Sequence, residues 1–283
     1  DNSKKTYPKG STGKEIAESI SKGLANSALS VTVNGEIRDL DRPINEDAQI
    51  EINTWETDNG KFTFWHSSAH LLAEAVQELY PDAKFGIGPP VDNGFYYDID
   101  FGDRQLTQND LEAIESKMYE LARKKSTFQR QDISKDEALS FYKEKGNHYK
   151  VDLIEDLDDG EITFYTQGNF TDLCRGPHIP HTGKIKAIKL TTLAGAYWRG
   201  DHSQKQLTRI YGITFPQKKM LDEYLNKLEE AKRRDHKKLG KQLRLYMMDS
   251  LVGSGLPIWL PKGTTLRRTL EDFLRNEQLK RGY

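Results

Sequence analysis

The chain has one cysteine, Cys174. That excludes an internal disulfide framework and suits a reducing compartment. Long hydrophobic runs are missing: none approaches the ~18 residues of a membrane-spanning helix. The opening DNSKKTYPKGS has no apolar stretch of the kind that drives secretion. Net charge is nearly absent, with 42 Lys and Arg against 43 Asp and Glu for a formal −1. This rules out a wholesale basic coat for nucleic acid, though not a local patch. Internal repeats and low-complexity tracts are absent too. What remains is an ordinary globular composition with a wet surface: 36% apolar and 30% charged over 283 residues. At roughly 150 residues per domain that length suggests about two domains, soluble and cytoplasmic.

Residues 1–57 read as a small α+β module. Thr12 and Glu15 form a capping box, and Ile16, Ala17, Ile20 and Leu24 follow at helical spacing. Val31 and Val33 alternate into Asn34-Gly35, a hairpin signal. Ile37 and Ile50-Glu51-Ile52 supply further strands. About 55 residues is marginal for a domain, and one more strand before residue 1 would complete its sheet.

Residues 58–216 mix helices and strands as one α+β domain. The alternation of Phe62 and Phe64 predicts a strand, followed by a helix from about His66 to Tyr80 that stops at Pro81. A strand is expected over 95–99. Thr107 is expected to cap a helix with Leu111, Ile114, Met118 and Leu121 on one face, and Ser134 with Glu137 to open a shorter one. Asp158-Asp159-Gly160 turns into a strand at 162–164, and later strands are expected over 185–190 and 207–213.

Residues 217–244 read as one long charged helix with Leu221, Leu225 and Leu228 on one face. It carries ten Lys and Arg against five Asp and Glu, a local +5. A solvated connecting helix is the preferred reading over RNA contact. In residues 245–283 a strand is expected over 258–260 and a helix from Thr264. Leu266, Leu270, Phe273 and Leu274 lie on one side of that helix, and some forty residues cannot build their own core.

The chemistry concentrates in two motifs. His66 and His70 are spaced i, i+4, which puts both imidazoles on one helix face, and the spacing continues to Glu74. With His66 in the first turn of its helix, the dipole would disfavour its protonation. Cys174-Arg175-Gly176-Pro177-His178 sets the one thiol four residues from a third His, in a Gly-Pro turn. Together the four residues suit a tetrahedral metal set of three nitrogens and one sulfur, and equally a metal-free acid/base site. Taken singly, the His pair could be surface decoration and Cys174 a buried apolar residue. Asp172, two before Cys174, shares its face on an extended strand and suits orienting an imidazole or binding an amine. Tyr149-Lys150 and Tyr96-Tyr97 are expected to line the same pocket, while His148, His181, His202 and His236 show no partner spacing.

These motifs, in this order, resemble the N-terminal half of the bacterial threonyl-tRNA synthetase family. Residues 1–57 resemble its ubiquitin-like TGS domain. HSSAH at 66–70 and CRGPH at 174–178, within GNFTDLCRGPH, resemble the marks of its editing domain over 58–216. GIGPPVDNGFYYD at 86–98 matches the family style, and LPIWLPKG at 256–263 resembles the opening of its class II catalytic domain over 245–283. The alanyl enzymes share the HxxxH/CxxxH pattern, but the leading module and the tail favour threonyl.

The resemblance implies hydrolysis of mischarged seryl-tRNA(Thr) at the 3′-terminal adenosine ester. Threonine differs from serine by one methyl group, and a methylene is worth only ~1–3 kcal/mol of discrimination in one binding step. It implies editing roles for His66, His70, Asp172, Cys174 and His178, with Lys150 placed by a single local match, HYK. Gly88 and Tyr97 would belong to the substrate pocket. His66 or Lys150 would activate water, and Asp172 would meet the seryl ammonium. No metal is expected to be needed for editing. If one binds, His66, His70, Cys174 and His178 would hold it. The family's ATP and Mg sites, its zinc set, its main catalytic domain and its anticodon-binding domain would lie outside these 283 residues. The expected partner is tRNA(Thr), with a homodimer for the full-length protein and no membrane. Two other readings are a metal-dependent hydrolase of another ester or amide, and a non-catalytic tRNA-binding module.

Overall fold

A computed structural model describes residues 3–253 and 255–283. The chain forms two compact units, residues 1–221 and 222–283. Among the described residues no helix is long and apolar enough to cross a membrane.

The first unit opens with α1 (Gly13–Ile20) and α2 (Lys22–Ser27), then β1 (Ser30–Val33), β2 (Glu36–Arg38) and β3 (Ile50–Asn53). The capping box at Thr12 and Glu15 forms as expected. The single expected helix is two, because Ser21 is extended and caps the second. Asn34 and Gly35 both take positive φ, the turn that matches strand twist. The three strands pair antiparallel in the order β2-β1-β3. Ile16, Ala17, Val31, Val33, Leu40 and Ile44 make their core.

Next comes α3 (Asp58–Leu79). The strand expected at Phe62 and Phe64 is therefore helix, and the helix begins well before His66. Thr57 is the N-cap and accepts the Gly60 N–H. Two residues on a helix lie about 200° apart, so one buried and one exposed Phe at i, i+2 mimic strand alternation. Phe64 is buried and Phe62 exposed.

β4 (Lys84–Phe85), β5 (Pro90–Val91) and β6 (Gly94–Asp100) follow, then α4 (Gln108–Lys124), β7 (Gln129–Asp132), α5 (Lys135–Glu144) and α6 (His148–Glu155). β8 (Thr163–Gln167), β9 (Phe170–Leu173), β10 (Ala187–Tyr197) and β11 (Gln206–Phe215) complete the sheets. α4 and α5 carry the caps expected at Thr107 and Ser134. β10 and β11 run longer than the sequence suggested. One sheet runs β10-β11-β6-β4 with β5 on β6, and a second runs β7-β8-β9. α3 packs against the first sheet and against α4, with Phe64, Leu71, Leu72, Val76, Phe95, Tyr97, Ile114 and Met118 in one core.

The small N-terminal module docks on α3. Leu29 enters the main core, Ser30 bonds Thr63 at 2.9 Å, and Asn59 donates to Thr32 at 3.2 Å.

The expected single helix over 217–244 is interrupted. α7 (Lys218–Arg233) ends before Asp235, whose side chain caps α8 (His236–Gln242) by accepting the Lys237 and Lys238 N–H groups. In the second unit β12 (Tyr246–Met248) pairs antiparallel with β13 (Pro257–Trp259). α9 (Pro261–Lys280) starts three residues before the expected Thr264, because Pro261 suits the first helical position. Leu266, Leu270, Phe273 and Leu274 on α9 are all at least half exposed.

Candidate hydrolytic site

α3 carries His66 and His70 on one face, their rings perpendicular at 5.3 Å. β9 brings in the chain that follows it. Asp172 is in the strand, and the loop beyond it curls back through Gly176 at φ +71°. The Gly176 N–H donates to Cys174 Sγ at 3.2 Å, and a side chain at Gly176 would collide with the Tyr165 hydroxyl. The loop thereby sets Cys174 Sγ 3.2 Å from His66 Nε2 and 3.3 Å from His178 Nε2. His178 stacks on Phe128 at 4.6 Å and packs against His66 and His70 at 4.5 and 4.2 Å. One ligand atom from each of His66, His70, Cys174 and His178 lies within 4.8 Å of all the others.

The partners settle two tautomers. His66 Nδ1 faces the Pro177 carbonyl at 3.3 Å, so it carries the proton and Nε2 keeps its lone pair. The Ser67 hydroxyl donates to Thr63 O at 2.8 Å and accepts the Ile179 N–H. His178 Nδ1, 3.1 Å away, must therefore donate to Ser67. Two imidazole lone pairs thus converge on one sulfur. Outer ring nitrogens held by hydrogen bonds while the inner lone pairs converge is the arrangement of metal-binding histidines, so the four residues fit a tetrahedral ion. A protonated thiol bridging one of the imidazoles satisfies the same geometry.

Burial dominates the electrostatics. It pushes the His66 pKa down to about 3, helped by His70, and that of His70 to about 4. His178 falls well below the ordinary range, first by burial and then by its His neighbours. Burial also raises the Cys174 thiol. All three imidazoles are therefore neutral. His66 is neutral as the sequence predicts, but burial and not the helix dipole is the cause, since His66 lies more than two turns along α3.

Beside this cluster lies a buried ion pair. Lys150 Nζ, from the first turn of α6, is 2.5 Å from Asp172 Oδ1. Tyr97 OH donates to Asp172 Oδ2 at 2.5 Å, Tyr142 OH lies 3.4 Å from Oδ1, and His70 Nε2 is 3.8 Å from Oδ2. Burial alone would raise the Asp172 carboxyl, but Lys150 and His70 hold it below its ordinary value. Asp172 is therefore a carboxylate. Gly88 lies against the Tyr97 ring, where an added Cβ would sit 2.2 Å from Cδ2. Alanine at Gly88 is expected to cost about 1–3 kcal/mol in thermal unfolding, because Tyr97 is fully buried and tied to Asp172.

The structure thus brings together His66, His70, Lys150, Asp172, Cys174, His178, Tyr97 and Gly88. It separates Tyr96 and Tyr149 from them. Tyr96 lies under the Arg209 guanidinium at 3.8 Å, and the Tyr149 hydroxyl bonds Asp100 at 2.7 Å. Sequence reasoning missed Tyr142, Tyr165, Phe128 and Ser67, none of which carries a spacing signal. Glu74, one turn beyond His70, is buried. Its Oε2 has no partner among the described residues, and burial raises its pKa to about 7.

Comparison with known proteins shows what the two parts of the chain resemble. Residues 1–54 match the TGS domain, and residues 162–211, which contain Asp172, Cys174 and His178, match the threonyl and alanyl tRNA synthetase second additional domain. The threonine–tRNA ligase of Parabacteroides distasonis is 58% identical over all 283 residues. Those of Phocaeicola vulgatus and Bacteroides fragilis are 60% and 59% identical over the same span. The chain is homologous to the N-terminal region of the threonine–tRNA ligases. It spans 44% of the length of each of these relatives. The matched stretch 162–211 holds the CxxxH motif, and an editing role is consistent with that domain.

Proposed function

We propose that this site hydrolyses the ester of seryl-tRNA(Thr) at the 3′-terminal adenosine, as the proofreading part of a threonine–tRNA ligase. The observation carrying the proposal is a neutral His66–His70–Cys174–His178 cluster whose His70 Nε2 lies 3.8 Å from the carboxylate of the Asp172–Lys150 pair, with Asp172, Cys174 and His178 inside the stretch that matches the synthetases' second additional domain. His66 is only half buried, and its neutral Nε2 takes the proton of the attacking water. The Lys150 ammonium, fixed by Asp172, stabilises the hydroxide-like water and the oxyanion that forms. His70 orients the terminal ribose or the water, and Cys174 and His178 shape the pocket. Asp172 is the negative group beside the cluster and suits the seryl ammonium. Tyr97, braced by Gly88, forms a wall that a threonyl methyl would strike. In the full-length protein this activity would accompany ATP- and Mg-dependent threonylation in a cytoplasmic homodimer, with that enzyme's zinc bound in the catalytic domain.

Single-turnover deacylation tests the reading. Seryl-tRNA(Thr) is expected to be hydrolysed much faster than threonyl-tRNA(Thr), and His66→Ala to lose on the order of 10²–10⁴-fold. Equal rates on the two substrates would remove the sieve. Binding of tRNA with no hydrolysis at all would favour the non-catalytic module instead.

A second reading is favoured by the lone pairs converging on Cys174. If His66, His70, Cys174 and His178 hold a metal ion, it would supply Lewis-acid activation of water. The proposal is that editing runs without it. Stoichiometric metal by elemental analysis, together with loss of hydrolysis on chelation, would reverse that view.

A further inference from the structure

The loop that carries Cys174 and His178 is held from outside its own domain. Asp39, just past β2 in the N-terminal module, reaches the loop with one carboxylate oxygen and a tyrosine of β8 above it with the other. Oδ1 accepts the His178 backbone N–H at 2.7 Å. Oδ2 accepts the Tyr165 hydroxyl at 2.6 Å. Tyr165 in turn packs its ring on His178 at 4.6 Å and lies directly over Gly176. One carboxylate therefore fixes the backbone at His178, the ring against its imidazole, and the hydroxyl that covers the turn.

We infer that Asp39 is a positioning residue of the site: the small N-terminal module holds the 174–178 loop so that His178 stays against Cys174 and His66. Docking of the module does not depend on Asp39. Leu29 in the main core, Ser30 on Thr63, Asn59 on Thr32 and Lys184 on the Asn26 carbonyl already hold the two together. Both Asp39 bonds go instead to the loop and to the tyrosine above it. The spacing they protect is narrow, because Cys174 Sγ meets two ring nitrogens within 3.3 Å. A shift of about 1 Å in such a site costs on the order of 10²-fold in rate.

The inference rests on the hydrolytic reading above, and its test separates the two. In single-turnover deacylation of seryl-tRNA(Thr) by the whole chain, Asp39→Ala is expected to slow the saturated rate between about 10-fold and 100-fold with little change in the tRNA concentration giving half-saturation. Asp39→Asn should recover most of the rate, since its amide oxygen accepts the His178 N–H and its nitrogen can donate to Tyr165. Tyr165→Phe should fall between them. Ser30→Ala, which loosens the module without touching the loop, should match the parent. An Asp39→Ala rate equal to that of the active parent, or an equal loss in Ser30→Ala, overturns the inference. If the parent itself is inactive, the hydrolytic reading fails. Alkylation of Cys174 by iodoacetamide then decides the positioning claim: several-fold faster reaction in Asp39→Ala supports it, and an unchanged rate overturns it.

Discussion

Methionine in place of Lys150 is expected to lower stability by about 3–5 kcal/mol in urea unfolding. Lys150 and Asp172 are both buried, with Nζ 2.5 Å from Oδ1. Removing the ammonium leaves a carboxylate in low dielectric, supported by the Tyr97 and Tyr142 hydroxyls and a neutral His70. Most of the loss is the cost of that orphaned charge, because a buried pair taken as a whole is worth far less than either ion left alone. The double variant Lys150→Met/Asp172→Asn should therefore regain a large part of the loss. Strictly additive destabilisation would show that the two ions do not act as a pair.

At pH 8, glutamine in place of Glu74 is expected to raise stability by about 3 kcal/mol. Burial raises this carboxyl from 4.5 to about 7. Between those values the folded chain keeps a proton that the unfolded chain has released. Stability contributed by Glu74 thus falls as pH rises through that window, and the full penalty is present above about 7. Below 4.5 both states hold the proton and the substitution should be nearly neutral. Chemical unfolding of parent and variant at pH 4 and pH 8 reads the difference directly. An equal gain at both pH values would assign it to packing. Gly168 leaves Glu74 its space, since a Cβ there would sit 2.0 Å from Oε1.

Several elements were legible in the sequence because their signals are local. Thr12 with Glu15, Thr107 and Ser134 with Glu137 each satisfy helix N–H groups within one turn. Asn34-Gly35 makes its turn from its own backbone. The i, i+4 histidines share a face wherever their helix begins. Where the reading failed, the signal was ambiguous or missing. Phe62 and Phe64 satisfy both a strand and a helix. β7 is exposed and polar along its length, so it carries no alternation and is defined only by pairing with β8. The break before α8 depends on Asp235 folding back on two N–H groups inside a charged run.

The candidate site divides in the same way. The residue types, the HxxxH and CxxxH spacings, and the share of the chain that each motif occupies were determined by the sequence alone. Only the tertiary structure decided that His66 meets a thiol 108 positions away, that Tyr142 and Tyr165 close over the site, and that Asp39 reaches His178 across 139 residues. It also decided the charge states, because neutral imidazoles, a raised thiol and a paired lysine follow from loss of water around each group. Burial is a property of the packed sheets and α3 together. Spacing along a chain carries no measure of it.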